Sequence, residues 1–228
     1  MYIPNMSEID KSSATYLTKS AGNTYYTLNQ DIVLSDNSYF NLNNETFDGN
    51  GHTITIDGVT DFSGVFHISY SDGIIKNLGI LAINGSTLSS TGGGWVLANN
   101  SVSNSSLSIQ NCYSNGPIAS YGGGICGNNC SNAIIIENCY STGSIDTEAG
   151  GIVGSYFGND NEGEGNATCK IINCFSTGAI NGSKAGGITG TYLGSDIMDH
   201  KGFHVEIVNC YSTTTTNTNR GDLLFNVD

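Results

Sequence analysis

Proline is nearly absent from this 228-residue chain, at two residues, and arginine occurs once, as Arg220. Charged side chains make up 12% of the sequence, about half the usual share. Six Lys and one Arg face 20 acidic residues, giving a net charge of −13. Such a chain neutralises few phosphates, so nucleic acid is not expected as a partner. No apolar run reaches the roughly 18 residues that span a bilayer as a helix, so membrane insertion is not expected. Scarce proline without a Gly-X-Y period excludes collagen. The N-terminal stretch MYIPNMSEIDKSSATYLTKS lacks a basic start followed by an apolar run. It does not read as a secretory signal, which favours a cytoplasmic or virion location over classical secretion. Seven cysteines include no C-x-x-C pair, so neither a zinc ribbon nor any metal or other cofactor is expected.

What the chain has instead is 31 Gly, 28 Asn, 27 Ser and 21 Thr, with 12 Tyr and 8 Phe. That aromatic content argues against disorder, and the length suits one domain or two small ones. Repetition is plain in the second half. IQNCYSNGPI, IENCYSTGSI, IINCFSTGAI and IVNCYSTTTT place Cys112, Cys139, Cys174 and Cys210 in one column, at steps of 27, 35 and 36. A glycine block precedes each: GGW at 93–95, then GGI at 123–125, 150–152 and 186–188. From the preceding Cys to the second Gly of a block is 12 or 13 residues. From that Gly to the next Cys is 15 to 23. One half of the repeat is fixed and the other admits insertions, as solenoids do.

Within each block the period is two. Ile134, Ile136 and Asn138 fall on one face, and after a bend at Asn138–Cys139 the inward set becomes Cys139, Ser141, Gly143 and Ile145. Tyr140, Thr142 and Ser144 point outward. Leu107/Ile109, Cys169/Ile171 and Val205/Ile207 repeat the inward pattern. Short β-branched alternation bounded by Asn and Gly predicts strands, and asparagine suits a left-handed bend. Strands whose partners lie about 30 residues away pair in parallel, stacked about 4.8 Å apart, with a right-handed course favoured.

The first half is degenerate but compatible. YYTLNQDIVL at 25–34 predicts a strand pair, and Gly49–Gly51 a tight turn. Gly64-Val65 and Ile75-Lys76-Asn77 stand where later units carry the glycine and Ile-x-Asn blocks. Residues 6–20 read as a short helix capped by Ser7. The expectation is an all-β, right-handed parallel β-helix of about six coils over 23–213. An N-terminal cap spans 1–22 and a C-terminal tail or cap 214–228.

FDGNGHTI, then GVF…IIKNLGI, then the recurring GGIVG…NCYSTG, resemble the GLUG-motif repeats of bacterial and viral surface proteins. The resemblance covers roughly residues 23–213. It implies a right-handed β-helix of the filamentous-haemagglutinin and pectate-lyase-like type, serving as an adhesin or stalk segment. It supplies no catalytic residues. The lyases of this architecture use an Arg or Lys base beside calcium carboxylates, and here the only Arg is in the tail.

Five constellations are candidates for chemistry. The cysteine column reads as a buried ladder of reduced thiols, while Cys126 and Cys130, near a loop, are the pair expected to bridge. An outward aromatic column, Tyr113, Tyr140, Phe175 and Tyr211, serves as ladder packing, as a protein interface, or as a strip stacking on sugars. Acidic loops gather Asp160, Glu162 and Glu164, and Asp196, Asp199, His200 and His204, in the insertions where function concentrates on rigid scaffolds. Glu137 and Glu206 are expected in one outward column, about 10 Å apart, within the range of a glycosidase pair. Arg220, Gly221 and Asp222 form an RGD tripeptide, read as a binding motif or a turn into a last strand. The residues favour a non-enzymatic structural or surface-attachment module of a virion or cell surface, assembled as a homo-oligomer, with a trimer slightly preferred. A carbohydrate-binding or carbohydrate-cleaving β-helix is the alternative, and glycans or a host or cell-surface receptor are the partners in view.

Overall fold

The computed structural model describes residues 6–68, 72–101, 106–131, 133–159, 168–194 and 204–213. Every regular element among them is a strand. One sheet, here sheet A, contains β1 (Leu17–Lys19), β2 (Tyr25–Leu28), β5 (Glu45–Asp48), β8 (Gly73–Lys76), β10 (Ser106–Gln110), β12 (Ala133–Glu137), β14 (Thr168–Ile172) and β16 (His204–Val208), in that order. Sheet B runs through β3 (Ile32–Leu34), β6 (Thr53–Asp57), β9 (Gly79–Ile83), β11 (Tyr113–Ser114), β13 (Tyr140–Ser141), β15 (Phe175–Ser176) and β17 (Tyr211–Ser212). A third ladder starts with β4 (Phe40–Leu42) and β7 (Phe66–Ile68). Single parallel bridges continue it from Phe66 through Leu97, Cys126 and Val153 to Thr189. The chain visits sheet A, sheet B and the third ladder in turn, then re-enters sheet A beside the strand it left. Every pairing between named strands is parallel except that of β1 with β2.

The period-two pattern explains the strands. In β12 and β14 the second and fourth residues are fully buried: Ile134 and Ile136, Cys169 and Ile171. Sheet A strands β8, β10, β12, β14 and β16 each end at an asparagine that turns the chain toward sheet B. Asn77, Asn111, Asn138, Asn173 and Asn209 all have φ between 52° and 54°, a conformation asparagine tolerates and most residues avoid. Asn138 is exposed at this corner and does not continue the inner face of Ile134 and Ile136. The asparagines also hold one another. Asn111 Nδ2 donates to Asn77 Oδ1 at 3.0 Å, Asn173 to Asn138 at 3.1 Å and Asn209 to Asn173 at 3.3 Å. Beyond the bend, Ser114 Oγ donates inward to the Gly124 carbonyl at 2.6 Å, and Ser141 Oγ to that of Gly151. These hydroxyls are thereby satisfied in a dry interior.

Two sequence expectations need correcting. Residues 6–20 form no helix. Asp10 instead accepts from the Ser12 amide at 2.8 Å, making a turn typical of Asp and Ser, and the segment ends in β1. As an antiparallel strand, β1 covers the edge of β2 that would otherwise be open. The glycine blocks also align differently at their start. Gly94, Gly123, Gly150 and Gly186 pair in one row, so Trp95 occupies the place of Gly124. Its indole fills the space beside Gly116, where an added Cβ would meet the ring at 2.2 Å, and Nε1 donates to the Pro117 carbonyl at 3.2 Å.

Candidate functional site

The outward aromatic column forms as the register dictates: Tyr113 pairs with Tyr140, Tyr140 with Phe175 and Phe175 with Tyr211. Successive ring centroids lie 5.1, 4.9 and 5.2 Å apart, with planes within 6° of parallel. The Tyr113 ring leans over Gly79, where a Cβ would fall 2.3 Å from Cζ. The rings therefore cover one another's faces and turn their edges outward. A sugar stacking on a ring face finds that surface at the end of the column, on Tyr211, which is 52% exposed. Burial, with Tyr140 and Asp31 nearby, raises the Tyr113 phenol.

The thiols line the interior. Cys112, Cys139 and Cys174 are fully buried and Cys210 partly so, and all seven cysteines are free. Cys126 and Cys130, expected to bridge, are both fully buried and unbridged; Cys130 Sγ points to the Ala98 carbonyl at 3.4 Å. Burial pushes the Cys169 thiol up to about 11, and a hydrogen bond with Cys139 is the leading cause that takes Cys174 to about 12. Such thiols are poor nucleophiles at neutral pH. Among the described residues no cluster of His, Cys, Asp and Glu is arranged to hold a metal.

Glu137 and Glu206 do not share a column. Glu137 pairs with Gln110 and Ile172, and the Ile172 row continues to Val208, whereas Glu206 pairs with Lys170 opposite Ile135. They are offset by two residues along the strand direction, and the Lys170 ammonium sits 2.7 Å from Glu206. That ion pair holds the Glu206 carboxyl below its ordinary range. His204 lies 3.6 Å from Glu206. Asp160, Glu162, Glu164, Asp196, Asp199 and His200 lie outside the described residues, as do Arg220, Gly221 and Asp222.

Three features were not read from the sequence. A groove of about 610 Å³ runs across the outer face of sheet A, with Ile74, Ser108 and Ile135 on its floor and Glu45 and Asp72 at its rim. Both carboxylates are engaged: Glu45 lies 2.7 Å from Lys11 Nζ, and Asp72 accepts from the Ser106 amide at 2.7 Å. Ser63 Oγ and His67 Nε2 are 2.9 Å apart. Burial lowers His67 to about 4, leaving a base too weak to activate a hydroxyl near neutrality. The third is a set of tyrosines before and after the glycine rows, Tyr121, Tyr156 and Tyr192. Their sequence signal is a tyrosine standing where neighbouring units have Gly or Asn.

No family model matches the chain, and no curated protein matches it, so the resemblance drawn above rests on the repeated blocks alone. A crystal structure from Bacteroides ovatus, provisionally described as an immunoglobulin A1 protease, matches with 20% identity and a TM-score of 0.47. The match covers 94% of this chain and 77% of that one. A likeness of this degree says nothing about activity.

Proposed function

We propose that the chain is a right-handed parallel β-helix of about six coils, of the GLUG-repeat kind, that acts as a non-enzymatic structural or surface-attachment module. One observation supports this above the rest. The residues of greatest chemical interest, the rings, thiols and amides, stack on their own kind along the sheets. They stiffen the scaffold and do not converge on a reacting centre. The edge-out aromatic column adds a flat strip on which copies of the chain associate. The test is sizing at high concentration, with a trimer expected. Replacing Tyr140 and Phe175 by Ser dissociates the assembly and leaves the β-sheet signal intact, whereas a wild-type chain that stays monomeric removes the self-association from this reading. The groove on sheet A favours a second reading, a carbohydrate-binding or carbohydrate-cleaving β-helix. Depolymerisation of polysaccharide that is lost in Ile135→Asp would establish it over the first.

A further inference from the structure

Seventeen described residues other than glycine have left-handed φ, and twelve of them are Asn or Asp. The other five are Tyr121 (63°), Glu148 (57°), Tyr156 (56°), Lys184 (54°) and Tyr192 (58°). All five meet at one corner of the molecule, beside the aligned glycines. The Ser155 amide donates to the Tyr121 carbonyl at 2.9 Å, which sets Tyr156 next to Tyr121. Tyr156 stacks on Tyr192 at 4.6 Å with planes 13° apart, and Glu148 pairs with Lys184 at 3.5 Å. Tyr121 and Tyr192 are each 38% exposed.

The backbone does not demand these side chains. Corresponding places in neighbouring units are held by Gly92, Asn100 and Asn129, which take a left-handed φ with less strain. Stacking between Tyr156 and Tyr192 offsets part of the cost, but Tyr121 has no ring partner among the described residues. Strained, exposed aromatic residues gathered at one place mark a surface kept for contact. Its chemistry is distinctive too. On a chain of net charge −13, these five residues sum to no formal charge, with three phenols, one ion pair and no aliphatic side chain among them. The Tyr121 ring, which stacks on no other described ring, suits the C–H face of a pyranose, while phenol, carboxylate and ammonium groups suit its hydroxyls. The acidic remainder of the surface disfavours an anionic ligand.

We propose that the corner formed by Tyr121, Glu148, Tyr156, Lys184 and Tyr192 binds a neutral glycan, which rests on the surface-attachment reading and names its partner. The test probes an array of neutral hexose and N-acetylhexosamine oligosaccharides with the full chain, then titrates the best of them. Wild type is expected to bind. The combined variant Tyr121→Asn, Tyr156→Asn, Tyr192→Asn is expected to lose at least tenfold in affinity while its melting temperature holds or rises, because Asn relieves the backbone. If the combined variant unfolds, Tyr121→Asn alone is used, with an affinity loss and an unchanged melting temperature expected. The proposal is overturned by a wild-type chain that binds nothing on the array. It is also overturned if affinity survives the tyrosine changes but falls in Ile135→Asp, which assigns binding to the groove. A tyrosine variant that changes the oligomeric state, with no glycan bound by wild type, assigns the corner to contact between copies. The sizing of the Tyr140 and Phe175 variants tests the scaffold reading through other residues, so the two readings fail separately.

Discussion

Rings crowd the interior toward the N-terminal end of the stack, and further on columns of isoleucine, cysteine and serine fill most of it. In the first region Phe40, Phe47 and Phe66 meet at 4.9 to 5.7 Å, and Phe62 stacks on Trp95 at 6.0 Å. In the second the buried positions after each bend are Cys and Ser: Cys112 and Ser114, Cys139 and Ser141, Cys174 and Ser176. Backbones approach closely there, for a Cβ on Gly178 would lie 1.8 Å from the Gly143 carbonyl oxygen. Apart from β1 with β2, both regions keep the same parallel pairing. Phe47 packs across rows against Phe40 and Phe66 and has the unlike residues Tyr26 and Ile75 above and below it, whereas the thiols, hydroxyls and outward rings of the second region stack on their own copies. Self-stacking preserves a repeat that sequence can show, and jigsaw packing erases it.

Charge and volume changes should separate the two regions. The largest effect is expected for Cys174→Asp, which buries an unpaired carboxyl among thiols and isoleucines and costs about 5 kcal/mol, enough to unfold a domain of ordinary stability. Cys174→Ala should be far milder, and rapid labelling of Cys112, Cys139 and Cys174 in the native protein would contradict their burial. Phe47→Ala, in the ring-filled region, should cost about 4 kcal/mol by denaturant titration, since its neighbours collapse only partly into the space. Asn138→Ala should cost about 1 to 2 kcal/mol through the left-handed bend and the broken amide ladder. Asn138→Gly should recover the conformational part; equal losses for both would show that the ladder bonds dominate.

The smallest expected effects depend on pH, and they separate the regions by sign. His67, lowered to about 4 from 6.5, binds its proton more readily in the unfolded chain. Stability is full above pH 6.5 and falls as pH drops toward 4. Cys169 and Cys174, raised to about 11 and 12 from 9.0, ionise first in the unfolded chain. Their stabilisation is full below pH 9 and is lost as pH rises toward 12. Thermal melts of His67→Gln should flatten the acid limb alone, and those of Cys174→Ala part of the alkaline limb alone.

Much of the second region was legible. The alternation in AIIIENCYSTG gives the strands, the inward thiols and the asparagine bend, and the aromatic column follows from register. Four things in the molecule were not. Trp95 and Gly124 differ so greatly in size that matching glycines shifted the alignment by one residue. Glu137 and Glu206 looked equivalent because both face outward, and their true offset depends on pairing that parity alone does not give. The turn at Asp10 competes with a helix through a single carboxylate–amide bond, which composition weighs poorly. The tyrosine corner was missed because a left-handed φ on tyrosine runs against what sequence leads one to expect.

The column identity in the second region has a consequence for how such a chain is inherited. Excising residues 139–173 joins Asn138 to Cys174 and restores the Asn-Cys junction without a seam. Ile136 would then face Ile207 in place of Ile171, and Phe175 would stack on Tyr113 in place of Tyr140, by the registers already present. Each unit would meet nearly the neighbours it was fitted to. Loss or duplication of one unit in a gene therefore changes the length of the molecule while leaving its grammar of contacts intact. Length is thus open to change in whole steps, whereas the ring-filled region offers no interchangeable part to lose or copy.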